Sequence, residues 1–368
     1  MLWPRTPDIF FAPEPVSRPT LKPSTTAERR AGARPRKSTG RVTLEDVAAL
    51  VGVTKMTVSR ALKDPSLVSA ETLQRVQEAV RQTGYTPDLV AGSLASTRSR
   101  LIVALIPAVA GSVFQETVHA LTATLAESGY ELLIGQGGYD ESREDALLDA
   151  VIGRRPAGIV LTGVAHSENA RRKLRASGIP VVETWDLTPE PIDMLVGFSH
   201  REVGATAARF LRDRGATMPA VLSPSDRRAQ ARTQAFLESW GAWGDARDIP
   251  VVTLQSPTHL GDGRRALAGL LDRHVDLDAV FCGADSLALG VLMEASARKI
   301  HVPQRLLVLG YGDLNFAGDT TPALSTVRVD GTQIGTLAAT MLIERIEGRD
   351  GSERIVDVGF RIVDRESA

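Results

Sequence analysis

"VTLEDVAALVGVTKMTVSRAL", residues 42–62, is the stretch on which the reading of the fold turns. Leu44, Val47, Ala48 and Val51 recur at helical spacing behind Thr43, with Glu45 and Asp46 in the first turn, which describes an N-capped amphipathic helix. Gly52 supplies a tight turn, and Thr54 caps a second helix running to about Leu62. On that helix Val53, Val58, Ala61 and Leu62 can face a core, while Lys55, Met56, Ser59 and Arg60 share the other side. A merely solvated face has little use for the thioether of Met56. After the loop "DPSLVS", Ser69 caps a third helix carrying Leu73, Val76, Ala79 and Val80 on one face, and Gly84 and Pro87 end it. Two helices joined by a short turn, with a third in support, form the helix-turn-helix layout.

On the N-terminal side, residues 1–40 hold seven of the twenty prolines and no lasting periodicity, the composition of a disordered extension. The opening "MLWPRTPDIFFAPEPVSRP" lacks the features of a secretion signal, and no run of about 18 apolar residues could span a bilayer, so a cytoplasmic location is expected. Residues 29–100 carry 13 Lys/Arg against 6 Asp/Glu, whereas residues 101–368 carry 27 against 35. A basic module on an acidic body points to a polyanionic partner for the module. The single cysteine, Cys282, excludes an internal disulfide and a cysteine-cluster metal site, and its apolar setting "AVFCGAD" suits a buried strand.

Beyond Arg100 strand-like runs alternate with helical ones: "LIVALIP", "YELLIG", "AGIVLTG", "IPVVE", and later "DAVFC" and "LLVLGY". Near-continuous apolar strands separated by helices indicate parallel sheets covered on both faces, and this much chain calls for two lobes.

Taken together these residues resemble the lactose-repressor (LacI/GalR) family of bacterial transcription regulators. The match runs without a gap from Val42 to Ser96, and continues through "GIPVVETWD", "MLVGFSHREVG", "DAVFCGADSLALG" and "LGYGDLNFA". Within the family, "GVTKMTVSR", "AVFC" and the final "VDVGF" are similar to the gluconate-operon repressor subgroup. The resemblance implies a small all-α helix-turn-helix headpiece followed by an α/β periplasmic-binding-protein-like core of two doubly wound lobes. The expected division is an extension (1–40), a headpiece (41–86), a hinge helix and linker (87–100) and an effector-binding and dimerisation core (101–368). Lobe 1 would take about 101–198 and 313–346, and lobe 2 about 199–312 and 347–368.

In a helix-turn-helix the second helix enters the major groove of double-stranded DNA. Lys55 and Arg60 can donate to guanine O6/N7, and Met56 can pack on a thymine methyl. Thr54, Thr57 and Ser59 carry short hydroxyls suited to phosphate oxygens, although Thr54 also serves as a cap. The segment "PDLVAGSLAS" matches the family's DNA-induced hinge helix, and Leu94 falls at its minor-groove wedge, which unstacks a base step. One recognition helix reads a half-site, so a homodimer on a palindromic operator is expected. The C-terminus has no leucine heptad, which argues against a tail-mediated tetramer.

In the core, a ligand belongs in the cleft at the carboxyl ends of the strands. Asp285 follows the strand "DAVFCGA" and is either a carboxylate gripping sugar hydroxyls or the N-cap of the next helix. Arg232 aligns with the family's effector-binding arginine, and its planar fork suits the carboxylate of a sugar acid. Glu183, Trp185 and Asp186, which follow "IPVV", and Phe114, at the start of the first core helix, are further candidates for the cleft wall. The chain departs from the family at Ala284, where Asn is frequent, and at Ser199-His200, where Asp-Asn is usual. A gluconate-like effector leads, with a neutral sugar or a nucleobase corepressor as the alternative. Enzymatic function is disfavoured because no dinucleotide fingerprint, P-loop, nucleophile elbow or metal-binding spacing appears, and no cofactor or metal is expected. A periplasmic solute-binding protein would share the core but not the headpiece.

Overall fold

Thr43 closes a capping box with Asp46 at the start of α1 (Leu44–Val51), and Gly52, at φ 71°, turns the chain towards α2 (Lys55–Lys63). Thr54 caps α2 by accepting from the Thr57 amide, and Ser69 caps α3 (Ala70–Thr83) by accepting from the Thr72 amide. Val47, Val58 and Val76, one from each helix, meet with no exposed surface. Burial of such side chains contributes roughly 1.5–3 kcal/mol each, which holds a domain this small together. The computed structural model describes residues 42–86, 99–108, 113–138, 141–244, 248–349 and 353–368. The expectations placed on residues 1–40 and on the hinge segment with Leu94 lie outside the described residues. Contacts divide the chain into two units at Pro87–Asp88.

The second unit is built on two six-stranded sheets. The first has the order β11-β5-β4-β3-β1-β2 and is parallel throughout, from β1 (Leu101–Ile106), β2 (Glu131–Gln136), β3 (Gly158–Thr162), β4 (Val181–Thr184), β5 (Met194–Gly197) and β11 (Ile355–Asp357). The second has the order β12-β10-β9-β8-β6-β7, from β6 (Pro219–Pro224), β7 (Val251–Leu254), β8 (Ala279–Cys282), β9 (Leu307–Tyr311), β10 (Ser325–Arg328) and β12 (Arg361–Val363). It is parallel except that β12 runs antiparallel to β10. Cys282 is buried on β8.

The expected lobe boundaries need correction. The chain does not return to the first lobe at residue 313, because β10 pairs with β9 in the second sheet. It returns with the helix Gly331–Glu347, whose Ile334, Ala338, Ala339 and Leu342 pack on the first lobe. There Gly335 lets it approach the helix Gln115–Glu127, since a Cβ would stand 2.5 Å from the Thr117 carbonyl oxygen. β11 then pairs with β5 in the first sheet rather than the second. The chain passes between lobes after β5, after β10 and after β11. A short apolar strand carries the same alternation in either sheet, so periodicity alone does not assign it.

Among the described residues no helix is long and apolar enough to cross a membrane.

Candidate functional site: an exposed helix face and an interlobe cavity

On α2, Met56 is 61 % exposed and Lys55 and Arg60 are exposed beside it. Lys55 Nζ lies 2.8 Å from Glu45 Oε1 on α1, in a solvent-exposed pair of the kind that adds little stability. Thr54 acts as the cap: it accepts from the Thr57 amide at 3.2 Å, and the two hydroxyls meet at 3.0 Å. Thr57 and Ser59 are half-buried, and Val58 and Ala61 are turned into the core. The helix therefore presents two cations and a thioether outward, with hydroxyls at its rim.

Between the two lobes lies a cavity of about 510 Å³. Its wall brings together four of the six expected core residues, Phe114, Trp185, Arg232 and Asp285. A neighbouring chamber of about 580 Å³ holds Asp186, and Asp226 and Arg228 line both spaces. These volumes are in the range of small-molecule sites.

Arg232 sits on the helix Arg227–Gly241 and is 4 % exposed. One guanidinium nitrogen (Nη1) donates to His200 Nδ1 at 3.0 Å, and Nη2 donates to the Gly283 carbonyl at 3.2 Å. The guanidinium carbon lies 3.8 Å from the centroid of the Tyr311 ring, within cation–π range. These partners are all neutral. Among the described residues, Arg232 Nε and Arg228 Nη1 are buried with no hydrogen-bond acceptor. A buried donor without a partner carries a desolvation cost, which an anion in the cavity would remove.

His200 is buried, and its Nε2 donates to the Trp185 carbonyl at 2.9 Å. Burial, with the charges of Arg232 and Arg228, holds its pKa well below the ordinary histidine value. The ring is therefore neutral, and Nδ1 is free to accept from Arg232. The side chain of Trp185 donates to Thr117 Oγ1 at 3.0 Å and meets the Phe114 ring edge to face at 5.1 Å. Its backbone is left-handed, at φ 64°, and Gly197 makes room for this turn, since a Cβ there would lie 1.8 Å from the Asp186 carbonyl oxygen.

Asp285 does not act as an N-cap. It is the first residue of the helix Asp285–Ala297, whose cap position is Ala284. Its carboxylate accepts from Thr326 Oγ1 at 2.6 Å and from the Leu314 amide at 2.8 Å. Burial pushes its pKa up to about 6 against these hydrogen bonds, with Asp313 adding to the rise. Asp186 accepts from the Leu187 amide, and burial likewise raises its pKa.

Glu183 is the exception among the expected residues. It has no exposed surface and lines neither space; one carboxylate oxygen accepts from the Ile192 amide at 2.5 Å. The other lies 3.5 Å from His166 Nε2 and 3.7 Å from Arg171. Glu183 is held instead in a buried ionic cluster completed by Glu144 against His166 Nδ1. Sequence reasoning missed Arg228, although it stands four residues before Arg232 and so shares its helix face. It also missed Tyr311 and took His200 only as a departure from the family pattern.

A helix-turn-helix unit followed by a two-lobed α/β unit with an interlobe cavity is the architecture of a transcription regulator. The comparisons agree: residues 43–88 match the family described as bacterial regulatory proteins, lacI family, and residues 208–368 match the periplasmic binding protein-like domain. The HTH-type transcriptional regulator GntR of Pseudomonas aeruginosa is 36 % identical over 90 % of this chain and 97 % of its own. A LacI-family regulator from Silicibacter pomeroyi superposes with a TM-score of 0.83 at 30 % identity, over 89 % of this chain and 99 % of that one. The transcription regulator GntR from Chromobacterium violaceum gives a TM-score of 0.69 at 35 % identity, over 73 % and 98 %. The chain belongs to the lacI family of bacterial regulatory proteins, a family of transcription regulators rather than enzymes.

Proposed function

We propose that this regulator represses genes of sugar-acid catabolism in the cytoplasm, binds a palindromic operator as a homodimer, and takes a gluconate-like acid in its interlobe cavity. Lys55, Met56 and Arg60 read bases, Thr54, Thr57 and Ser59 hold phosphates, and Leu94 is the minor-groove wedge. In the cavity Arg232 grips the carboxylate, Asp285 accepts from hydroxyls, and Trp185 and Phe114 form an apolar wall; Asp186 faces the adjoining chamber. The observation that carries the effector class is the buried guanidinium of Arg232, which has neutral partners and an unpartnered Nε. The similarity to regulators named GntR points the same way.

Calorimetric titration of the full chain with gluconate and with glucose tests the reading. Gluconate should bind at least about tenfold more tightly, the equivalent of about 1.4 kcal/mol. Binding of glucose alone would overturn the sugar-acid assignment. Operator gel shifts with and without the bound acid then give the direction of control.

A further inference from the structure

We infer that His200 is a positioning residue that sets the charge preference of the cavity, holding the Arg232 guanidinium in place with a neutral acceptor so that its positive charge stays available to an anionic effector. The inference rests on the sugar-acid reading and adds to it the residue that decides acid against neutral sugar.

A buried arginine needs acceptors, and the usual one is a carboxylate, which would orient the fork and cancel its charge together. Here the acceptor is imidazole Nδ1 at 3.0 Å. Its tautomer is fixed from the far side of the ring, where Nε2–H donates to the Trp185 carbonyl at 2.9 Å. That carbonyl is presented by the left-handed turn at Trp185. The ring itself is held by the Phe198 edge, with centroids 4.6 Å apart. The distance between the two helices is set by Gly204, one turn after His200, where a Cβ would stand 2.0 Å from the Arg232 carbonyl oxygen. Arg232 and Arg228 both oppose a proton on the imidazole. An aspartate at position 200 would satisfy Arg232 and neutralise it. An apolar ring there would leave a further buried N–H without an acceptor. Only a neutral acceptor both orients the fork and spares the charge.

The test titrates the full chain and its variants with gluconate and with glucose, and thermal melts confirm folding. His200→Asn, which keeps a neutral acceptor, should bind gluconate within a few-fold of the parent chain, whereas His200→Asp should lose roughly tenfold or more and narrow the gluconate-to-glucose ratio. Equal gluconate affinity in His200→Asp, or an equal loss in His200→Asn, would overturn the inference while leaving the sugar-acid reading intact. A parent chain that takes glucose and ignores gluconate would overturn both. A nitrogen-detected NMR correlation of the parent chain provides a check independent of any variant. It should report His200 with a bare Nδ1 and a protonated Nε2; a protonated Nδ1 overturns the inference.

Discussion

Arg60 and His166 show how differently a cation can be used in one chain. Arg60 is exposed on α2. Arg60→Ala should cost about 1–3 kcal/mol of operator affinity and relax preference at one base position. An equal loss on every sequence, read by competition binding, would make it a phosphate contact instead. His166 is buried between Glu144 and Glu183. Burial works to lower its pKa, but the hydrogen bonds and charges of the two carboxylates carry it up to about 9. Because the folded value lies above the ordinary 6.5, this stabilisation is complete below pH 6.5 and is lost as pH rises through about 9. Urea unfolding should show up to roughly 3 kcal/mol disappearing across that window, and His166→Gln should flatten the slope. At this scale the sequence was legible where a motif carried the residue. Arg232 and Asp285 lie in stretches that resemble a known family. Glu183 was misplaced because its partners stand on other elements: Glu144 and His166 are 22 residues apart, and nothing local joins them.

At the scale of elements, one glycine sets how closely two helices approach. Gly204 brings the helix His200–Asp213 against the helix Arg227–Gly241, backbone to backbone. Gly204→Ala should force the pair apart at a cost typical of overpacking, about 1–3 kcal/mol, measurable as a lower denaturation midpoint. It should also weaken gluconate binding, since His200 and Arg232 ride on the two displaced helices. If stability fell while binding stayed unchanged, their contact would not depend on this approach. The helices and strands themselves were legible, because each has a cap or an apolar period that acts locally. Thr43, Thr54, Ser69 and Gly52 all do the work their side chains or backbone allow. Lobe membership was not legible. β10 and β11 are short, and what assigns each to a sheet is its hydrogen-bonded neighbour: Leu309, 16 residues before Ser325, for β10, and Leu195, 160 residues before Ile355, for β11.

For the whole molecule, charge separates the two tasks. The basic residues cluster in the segment that carries the headpiece, and the acidic excess lies in the core. Operator affinity should therefore draw on long-range attraction to phosphate, and ligand affinity on a few buried groups that salt does not reach. Two lobes were expected because the alternating chain is too long for one sheet, but the paths between them came only from the hydrogen-bonded pairing. Those paths bear on how the protein is made. β11 and β12 each form one edge of a sheet, and both come from residues 355–363. Ser367 fastens the end of the chain by donating to the Val308 carbonyl and accepting from the Ser325 amide. Neither lobe can complete its hydrogen bonding until residues 355–363 have been made. A chain released before residue 355 would carry two open sheet edges at once, while the headpiece, made hundreds of residues earlier, would already have its three helices in place.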